Sequence, residues 1–405
     1  KERKKRKMKV TFSPYRAHGE ICAPPSKSYA HRQLICAALS EGESIVRGLE
    51  NSEDIDATTD CIKALGATVK KENDGTLHIK GGSKKADGAV FGCRESGSTL
   101  RFFIPIALLS GNDADFTGSE RLFQRPLSVY SNICLGQGLP FGVTESGITV
   151  AGPIEGGYFR VPGDISSQFV SGLMFALPLT DGYSVIELQP PVASKPYIDM
   201  TSEALSAFGV TAELNSDMKV IIPGGQRYSP CDVTVEGDWS NAAFFLALAA
   251  LGNDIEVGGL EYETLQGDAV IRRLLCRLVR GKPTIDITDC PDLAPVLMAT
   301  AAALNGVTLT GTDRLKIKES DRGRAMADEL AKFGVPVTVG DDFITVAAPK
   351  ILKKPDVPIN GHNDHRIVMA NAVLLTVTGG EIVGADAVNK SYPEFFDDLA
   401  ALRAE

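Results

Sequence analysis

Several short polar stretches in this 405-residue chain place cations or carboxylates at the start of an apolar helix. In Pro24-Pro25-Ser26-Lys27-Ser28-Tyr29-Ala30-His31-Arg32 two prolines fix an extended entry and Ser26 or Ser28 can cap. Lys27 and Arg32 then add two full charges to amides that already carry partial positive charge, which suits a phosphate or carboxylate. The same residues also read as a plain cap beside a solvated lysine. Arg121 and Arg125 fall in a loop between a strand and an outer helix, as ligands or as surface charge. Ser166, Ser167 and Gln168 offer hydroxyl, amide and backbone donors at a buried helix start, or an ordinary N-cap. Ser194 and Tyr197 flank Lys195-Pro196, which alone could be a pre-proline turn.

The second half carries denser charge. Asp292, in Asp289-Cys290-Pro291-Asp292, heads an apolar helix and reads either as a dipole-stabilised cap or as a general base. Lys316 to Arg322 packs five charged residues, among them Lys318 and Glu319, into seven positions between a strand over 307–310 and a helix over 325–333. Asn363-Asp364-His365-Arg366 heads a buried helix over 367–375, where a basic pair opposes the helix dipole and so points to a ligand. Lys390, in Asn389-Lys390-Ser391-Tyr392-Pro393, is a last isolated cation.

The elements that must position these residues repeat. A helix end, strand, turn and strand recur at Gly66, Gly138, Gly209 and Gly334, the first three about 70 residues apart. Each copy opens with a polar corner before an alanine- and leucine-rich helix, giving six units of strand, helix, strand, helix, strand and strand. The all-round apolar helices belong inside and the more polar ones, such as 55–65, outside. Three units per domain gives a first domain over 22–225 and a second over 8–21 plus 226–405. The boundary is expected at Gly224-Gly225-Gln226, and two chain crossings between domains form a hinge.

Composition narrows the partners. Lys and Arg number 42 against 51 Asp and Glu, for a net charge of −9; residues 1–7, read as a tag remnant or disordered arm, contribute +5 of this, which leaves the rest of the chain at −14. A body that acidic is a poor nonspecific nucleic-acid binder. No apolar run reaches the length of a membrane span. The eight cysteines form no paired motif and no Cys/His cluster, which fits a reduced, cytoplasmic protein without structural zinc.

The segments containing Lys27 and Arg32, Gly97 to Arg101, Arg125, Ser166 to Gln168, Ser194 to Asp199, Gly237 to Ser240, Asp292, Lys318 to Arg322, Asn363 to Arg366 and Asn389 to Phe396 follow one another in the order seen in the enolpyruvyl transferase family. From about Met8 to Leu402 the chain resembles that family, and in particular its shikimate-pathway branch. The resemblance implies an inverted α/β barrel-like fold of two domains, closing over shikimate 3-phosphate and phosphoenolpyruvate, with no metal and no cofactor. It implies that Lys27, Ser28, Arg32, Ser166, Ser167, Gln168, Ser194, Tyr197, Asp292 and Lys318 hold shikimate 3-phosphate. Phosphoenolpyruvate falls to Lys27, Gly97, Arg125, Gln168, Arg322, Arg366 and Lys390. Asp292 is then the base for the 5-hydroxyl, and Glu319 or Lys27 the donor to the methylene carbon. A monomer acting on these two small molecules, with no nucleic-acid or membrane partner, is expected. A UDP-N-acetylglucosamine enolpyruvyl transferase is the alternative enzyme, disfavoured because no reactive cysteine lies between Ser110 and Arg125. A non-catalytic anion-binding protein is the other rival, disfavoured by Asp292 and Glu319. One departure is Glu95-Ser96-Gly97-Ser98 where the family has Asn-Ala-Gly-Thr, so Glu95 is expected to point away or to pair with Arg94 or Arg125.

Overall fold

A computed structural model describes residues 7–82, 88–145 and 147–403, so the basic head lies outside the described residues except for Lys7. Within them the repeat is a four-stranded sheet of mixed direction. Val90–Gly92 runs parallel to Asp113–Thr117, which pairs antiparallel with Gly147–Ala151, itself antiparallel to Phe141–Val143. The same order recurs in Tyr158–Pro162, Tyr183–Gln189, Lys219–Pro223 and Glu213–Leu214. It recurs again in Thr284–Asp286, Val307–Thr310, Phe343–Val346 and Val337–Val339.

The remaining sheets take strands from distant parts of the chain. Val233–Thr234 lies parallel to Glu43–Arg47, whose antiparallel partner is Leu77–Lys80. His18–Cys22 runs parallel to Asp254–Gly258, and Lys9–Phe12 antiparallel to Gly380–Val383. These pairings decide which unit each strand joins. The chain divides into Pro25–Glu236 and Lys1–Pro24 with Gly237–Glu405. The change of unit therefore falls after Glu236 and not at Gly224-Gly225-Gln226, because Val233–Thr234 stays with the sheet of Glu43–Arg47. Likewise Cys22 stays with the second unit through its pairing with Gly258.

Each unit has its own apolar core built on three inner helices. In Pro25–Glu236 these are Lys27–Leu39, Gly97–Ala107 and Ser167–Ala176, and in the other unit Trp239–Ala250, Ala294–Ala303 and His365–Thr378. The outer helices show one apolar stripe. In Ile271–Arg280 the residues Ile271, Leu274, Leu275 and Leu278 are buried while Arg272, Arg273, Arg277 and Arg280 are exposed. None of the described helices is long and apolar enough to cross a membrane.

Two local features fix the inner helices of the first unit. Pro105 sits inside Gly97–Ala107 and has no N–H for the Arg101 carbonyl, which instead accepts the Tyr130 hydroxyl at 2.6 Å. Gly172 lets Ser167–Ala176 approach closely, since a Cβ there would strike the Arg101 carbonyl and the Tyr130 hydroxyl. Arg101, whose side chain reaches the neighbouring helix start, is thereby anchored through its own backbone.

Candidate active site

In the unit Pro25–Glu236 the polar residues gather at the N-termini of the inner helices. Ser26 caps Lys27–Leu39 by accepting from the Tyr29 amide, Ser96 caps Gly97–Ala107 and Ser166 caps Ser167–Ala176. Lys27 then lies in the first turn, with Nζ 2.8 Å from Asp54 Oδ2. Arg32 is buried one turn further on. Its Nη1 donates to the Ser28 carbonyl at 2.7 Å, its Nη2 to the Tyr197 carbonyl at 2.8 Å and its Nε to Thr201 Oγ1 at 2.9 Å. It thus joins Ser28 to the first turn of Pro196–Ala207, with Ser194 just before it in a left-handed conformation at φ 57°. Burial lowers the Arg32 guanidinium to about 10, still charged at neutral pH.

Gly97 and Arg125 meet directly. A Cβ on Gly97 would overlap the Arg125 guanidinium, so only glycine lets that cation lie against the helix start. Gln168 is oriented from both ends: its Oε1 accepts from Arg101 Nη1 at 2.8 Å and its Nε2 donates to Ser98 Oγ at 2.9 Å. Arg101 Nη2 also donates to the Pro126 carbonyl at 3.2 Å, next to Arg125. Arg94, offered as a partner for Glu95, engages Asp60 at 2.8 Å and Asp56 at 3.3 Å.

The second unit holds a tighter cluster. Asp292 lies in the short turn Pro291–Leu293 ahead of Ala294–Ala303, and neither element has a side-chain cap hydrogen bond. Its Oδ1 accepts from Arg322 Nη1 at 2.7 Å and from Lys318 Nζ at 3.2 Å, and its Oδ2 from Arg366 Nη2 at 3.1 Å. Asp292 is therefore an ion-pair centre and not a cap. Arg322, 1% exposed, also donates through Nε to Asp364 Oδ2 at 2.9 Å and through Nη2 to Glu319 Oε2 at 2.6 Å. Asp364 in turn caps His365–Thr378 by accepting from the Arg366 amide. A carboxylate at the cap offsets the basic pair that follows it, so the dipole mismatch seen in the sequence is relieved within the protein. Lys390 Nζ donates to the Asn363 carbonyl at 2.5 Å, and Asn363 is itself left-handed at φ 52°.

Charge and burial pull against each other here. Burial works to raise the Asp292 carboxyl, but Arg366, Lys318 and Arg322 outweigh it and hold the group well below the usual carboxylate range. Burial lowers the Lys318 ammonium to about 8, with Asp292 resisting and Arg322 and Arg314 assisting. Asp292 is thus ionised and surrounded, a weak base while the cations rest on it. An anionic substrate that draws those cations away raises its basicity, because they are what depress it. Glu319 bears on the same guanidinium, its Oε2 accepting from Arg322 Nη2.

The structure thus gathers Asp292, Lys318, Glu319, Arg322 and Arg366 in one unit, and ties Ser28, Arg32 and Tyr197 together, with Gly97 beside Arg125, in the other. Four groups had no sequence signal strong enough to mark them. Asp54 holds Lys27, Arg101 orients Gln168, Asp364 holds Arg322, and Ser240 accepts from Arg366 Nη2 at 3.2 Å. Arg101, Ser240 and Asp364 stand within matched segments that give them no role, and Asp54 stands outside them.

A repeated α/β scaffold with an ionised carboxylate set among several cations is the arrangement expected of the enolpyruvyl transferases. The family model for EPSP synthase (3-phosphoshikimate 1-carboxyvinyltransferase) matches residues 13–399. The 3-phosphoshikimate 1-carboxyvinyltransferase of Clostridium kluyveri is 41% identical, covering 98% of this chain and 97% of the relative. That of Clostridium perfringens is 38% identical, covering 97% and 98%. The solved EPSP synthase of Acinetobacter baumannii has a TM-score of 0.78 at 22% identity over 98% of both chains, a likeness of fold. The chain belongs to the EPSP synthase family.

Proposed function

We propose that this chain transfers the enolpyruvyl group of phosphoenolpyruvate to the 5-hydroxyl of shikimate 3-phosphate and releases inorganic phosphate, in the shikimate pathway to chorismate and the aromatic amino acids. The observation that carries this is Asp292 held by Lys318, Arg322 and Arg366 in a chain matched to the family over residues 13–399.

Lys27, Ser28, Arg32, Ser166, Ser167, Gln168, Ser194 and Tyr197 hold shikimate 3-phosphate from the first unit, and Lys318 with Asp292 from the second. The cross-links from Arg32 to Ser28 and Tyr197 support that set. Lys27, Gly97, Arg125 and Gln168 hold phosphoenolpyruvate from the first unit, and Arg322, Arg366 and Lys390 from the second. The contact of Arg125 with Gly97 and the two-sided fixing of Gln168 support this set. As phosphate and carboxylate groups take over the guanidinium groups, Asp292 becomes basic enough to accept the 5-hydroxyl proton. The hydroxyl oxygen bonds to C2 of phosphoenolpyruvate while Glu319, or Lys27, gives a proton to the methylene carbon. The tetrahedral adduct then loses a proton from that methyl group and expels phosphate, restoring the double bond. Prepositioned cations stabilise the charge that develops on the departing phosphate.

In this reading the enzyme works as a cytoplasmic monomer on two small anions; the eight cysteines, scattered without a paired motif, fit a reducing compartment. The test is phosphate release with phosphoenolpyruvate plus either shikimate 3-phosphate or UDP-N-acetylglucosamine. Turnover with the shikimate ester alone is expected. Turnover with only the nucleotide sugar, or with neither, overturns the assignment.

A further inference from the structure

We propose that Asp268, acting through the Ser240 hydroxyl, positions Arg366 and sets how strongly that guanidinium holds an anionic substrate. This role rests on Arg366 being a phosphoenolpyruvate ligand, as proposed above. Asp268 lies in the turn Gly267–Val270 that precedes Ile271–Arg280, and it is buried, as are Ser240 and Arg366. Ser240 Oγ donates to Asp268 Oδ2 and accepts from Arg366 Nη2 at 3.2 Å. The same Nη2 donates to Asp292 Oδ2 at 3.1 Å. One guanidinium nitrogen is therefore shared between the base and a hydroxyl backed by a second carboxyl group.

The turn that carries Asp268 is fixed in place. Gln266 accepts from the Trp239 amide at 3.1 Å and donates to the Gly237 carbonyl at 2.7 Å, which locks it to the helix start bearing Ser240. Asp268 Oδ1 is buried, and no donor among the described residues reaches it. A buried carboxylate with one unsatisfied oxygen is costly to ionise. The groups facing it are Ser240 and Asp238 at the start of Trp239–Ala250, Arg366 from His365–Thr378, and Cys290 and Asp292 around the Pro291 turn. Burial and then Asp292 raise the Asp268 carboxyl to about 7, Asp238 adds to the rise, and Arg366 with the Ser240 hydrogen bond opposes it. Near neutral pH the charge behind Arg366 is therefore adjustable. Ionised Asp268 holds Arg366 back and repels an incoming anion, while the neutral acid leaves the cation's field to the substrate.

The linkage has a definite sign. Bound anion favours the protonated acid and raises its pKa, so the KM for phosphoenolpyruvate rises as pH increases through about 7. If the bound anion raises that pKa by about one unit, KM rises about tenfold between the two limits. Asp268→Asn keeps an acceptor for Ser240 and removes the charge. It should flatten this rise and give a KM at pH 8 several-fold below that of the unsubstituted enzyme. The substrate's own ionisation is common to both proteins and cancels in the comparison. Ser240→Ala removes the anchor and should raise KM for phosphoenolpyruvate at every pH, with little change in KM for shikimate 3-phosphate. A purely structural role would instead lower thermal stability and leave the pH slope intact. Absence of phosphate release by the unsubstituted enzyme defeats the proposed function itself, and an unchanged KM in Arg366→Lys defeats only the Arg366 assignment. If both of those stand and Asp268→Asn keeps the slope, Asp268 has no such role; should that variant fail to fold, an unaltered pH slope and KM in Ser240→Ala overturns it.

Discussion

Replacing Asp292 by Asn separates its two proposed roles, because the amide keeps an oxygen for Arg322 but can neither accept a proton nor carry charge. Loss of a positioned general base costs about 10² to 10⁴ in rate, or roughly 3–5 kcal/mol of barrier. Substrate affinity should move the other way. Three cations bear on the Asp292 carboxylate at 2.7, 3.1 and 3.2 Å. A unit charge pair near 4 Å contributes about 4 kcal/mol at an effective dielectric constant near 20, before desolvation is counted. Removing that competitor leaves Lys318, Arg322 and Arg366 freer for phosphate and carboxylate groups, so KM for the anionic substrates should stay level or fall by up to about tenfold. Arg322 keeps Asp364 and Glu319, so the cluster is not left without counter-charge. The assay is steady-state phosphate release with each substrate varied in turn, alongside calorimetric titration with shikimate 3-phosphate. A variant that retains more than about a tenth of kcat would refute Asp292 as the base, since so small a loss is below what general-base catalysis supplies. A KM raised a hundredfold at constant kcat would make it a binding residue instead.

Three further outcomes follow from the same geometry. Gly97→Ala should push the Arg125 guanidinium from the helix start and raise KM for phosphoenolpyruvate by roughly 10- to 100-fold, read from initial rates at saturating shikimate 3-phosphate. Lys318 titrates at about 8, depressed chiefly by burial, so KM for shikimate 3-phosphate should climb as pH rises above 8. Because the unfolded chain holds that proton up to the ordinary lysine range, this group's contribution to stability grows between pH 8 and about 10.4; Lys318→Arg should remove both effects, seen in pH-rate profiles and in urea unfolding at pH 8 and pH 10. Asp364→Ala breaks a pair in which the side chains are 0% and 1% exposed and also removes a helix cap. Its unit should lose about 3–5 kcal/mol in urea unfolding, whereas a loss under 1 kcal/mol would contradict the assigned pairing.

The sequence was most legible where chemistry is local. Ser26 before Lys27, the Glu53–Ala64 outer helix with its Ile55, Cys61 and Ile62 stripe, and the strand Val307–Thr310 can all be read from neighbouring residues. What could not be read depends on separation along the chain. Asp54 meets Lys27 from the next helix, and Arg101 reaches Gln168 across 67 positions. Nothing in the composition around Asp268 marks it as lying behind Arg366. Asp364 stood in a matched segment, yet its grip on Arg322 depends on two helix starts meeting in space. The unit boundary was displaced for a similar reason. Gly224-Gly225 looks like a linker, but the two-residue strand Val233–Thr234 is too short to show an alternating pattern and still pairs with Glu43–Arg47.

The most direct test of the chemistry is to run the reaction in D2O and examine the enolpyruvyl methylene of the product by mass spectrometry. Addition at C2 with protonation of the methylene, followed by loss of a methyl hydrogen, places deuterium in that group. Phosphate release with no deuterium in the product would mean that no methyl-bearing adduct forms, and the roles given to Asp292 and Glu319 would fall with it.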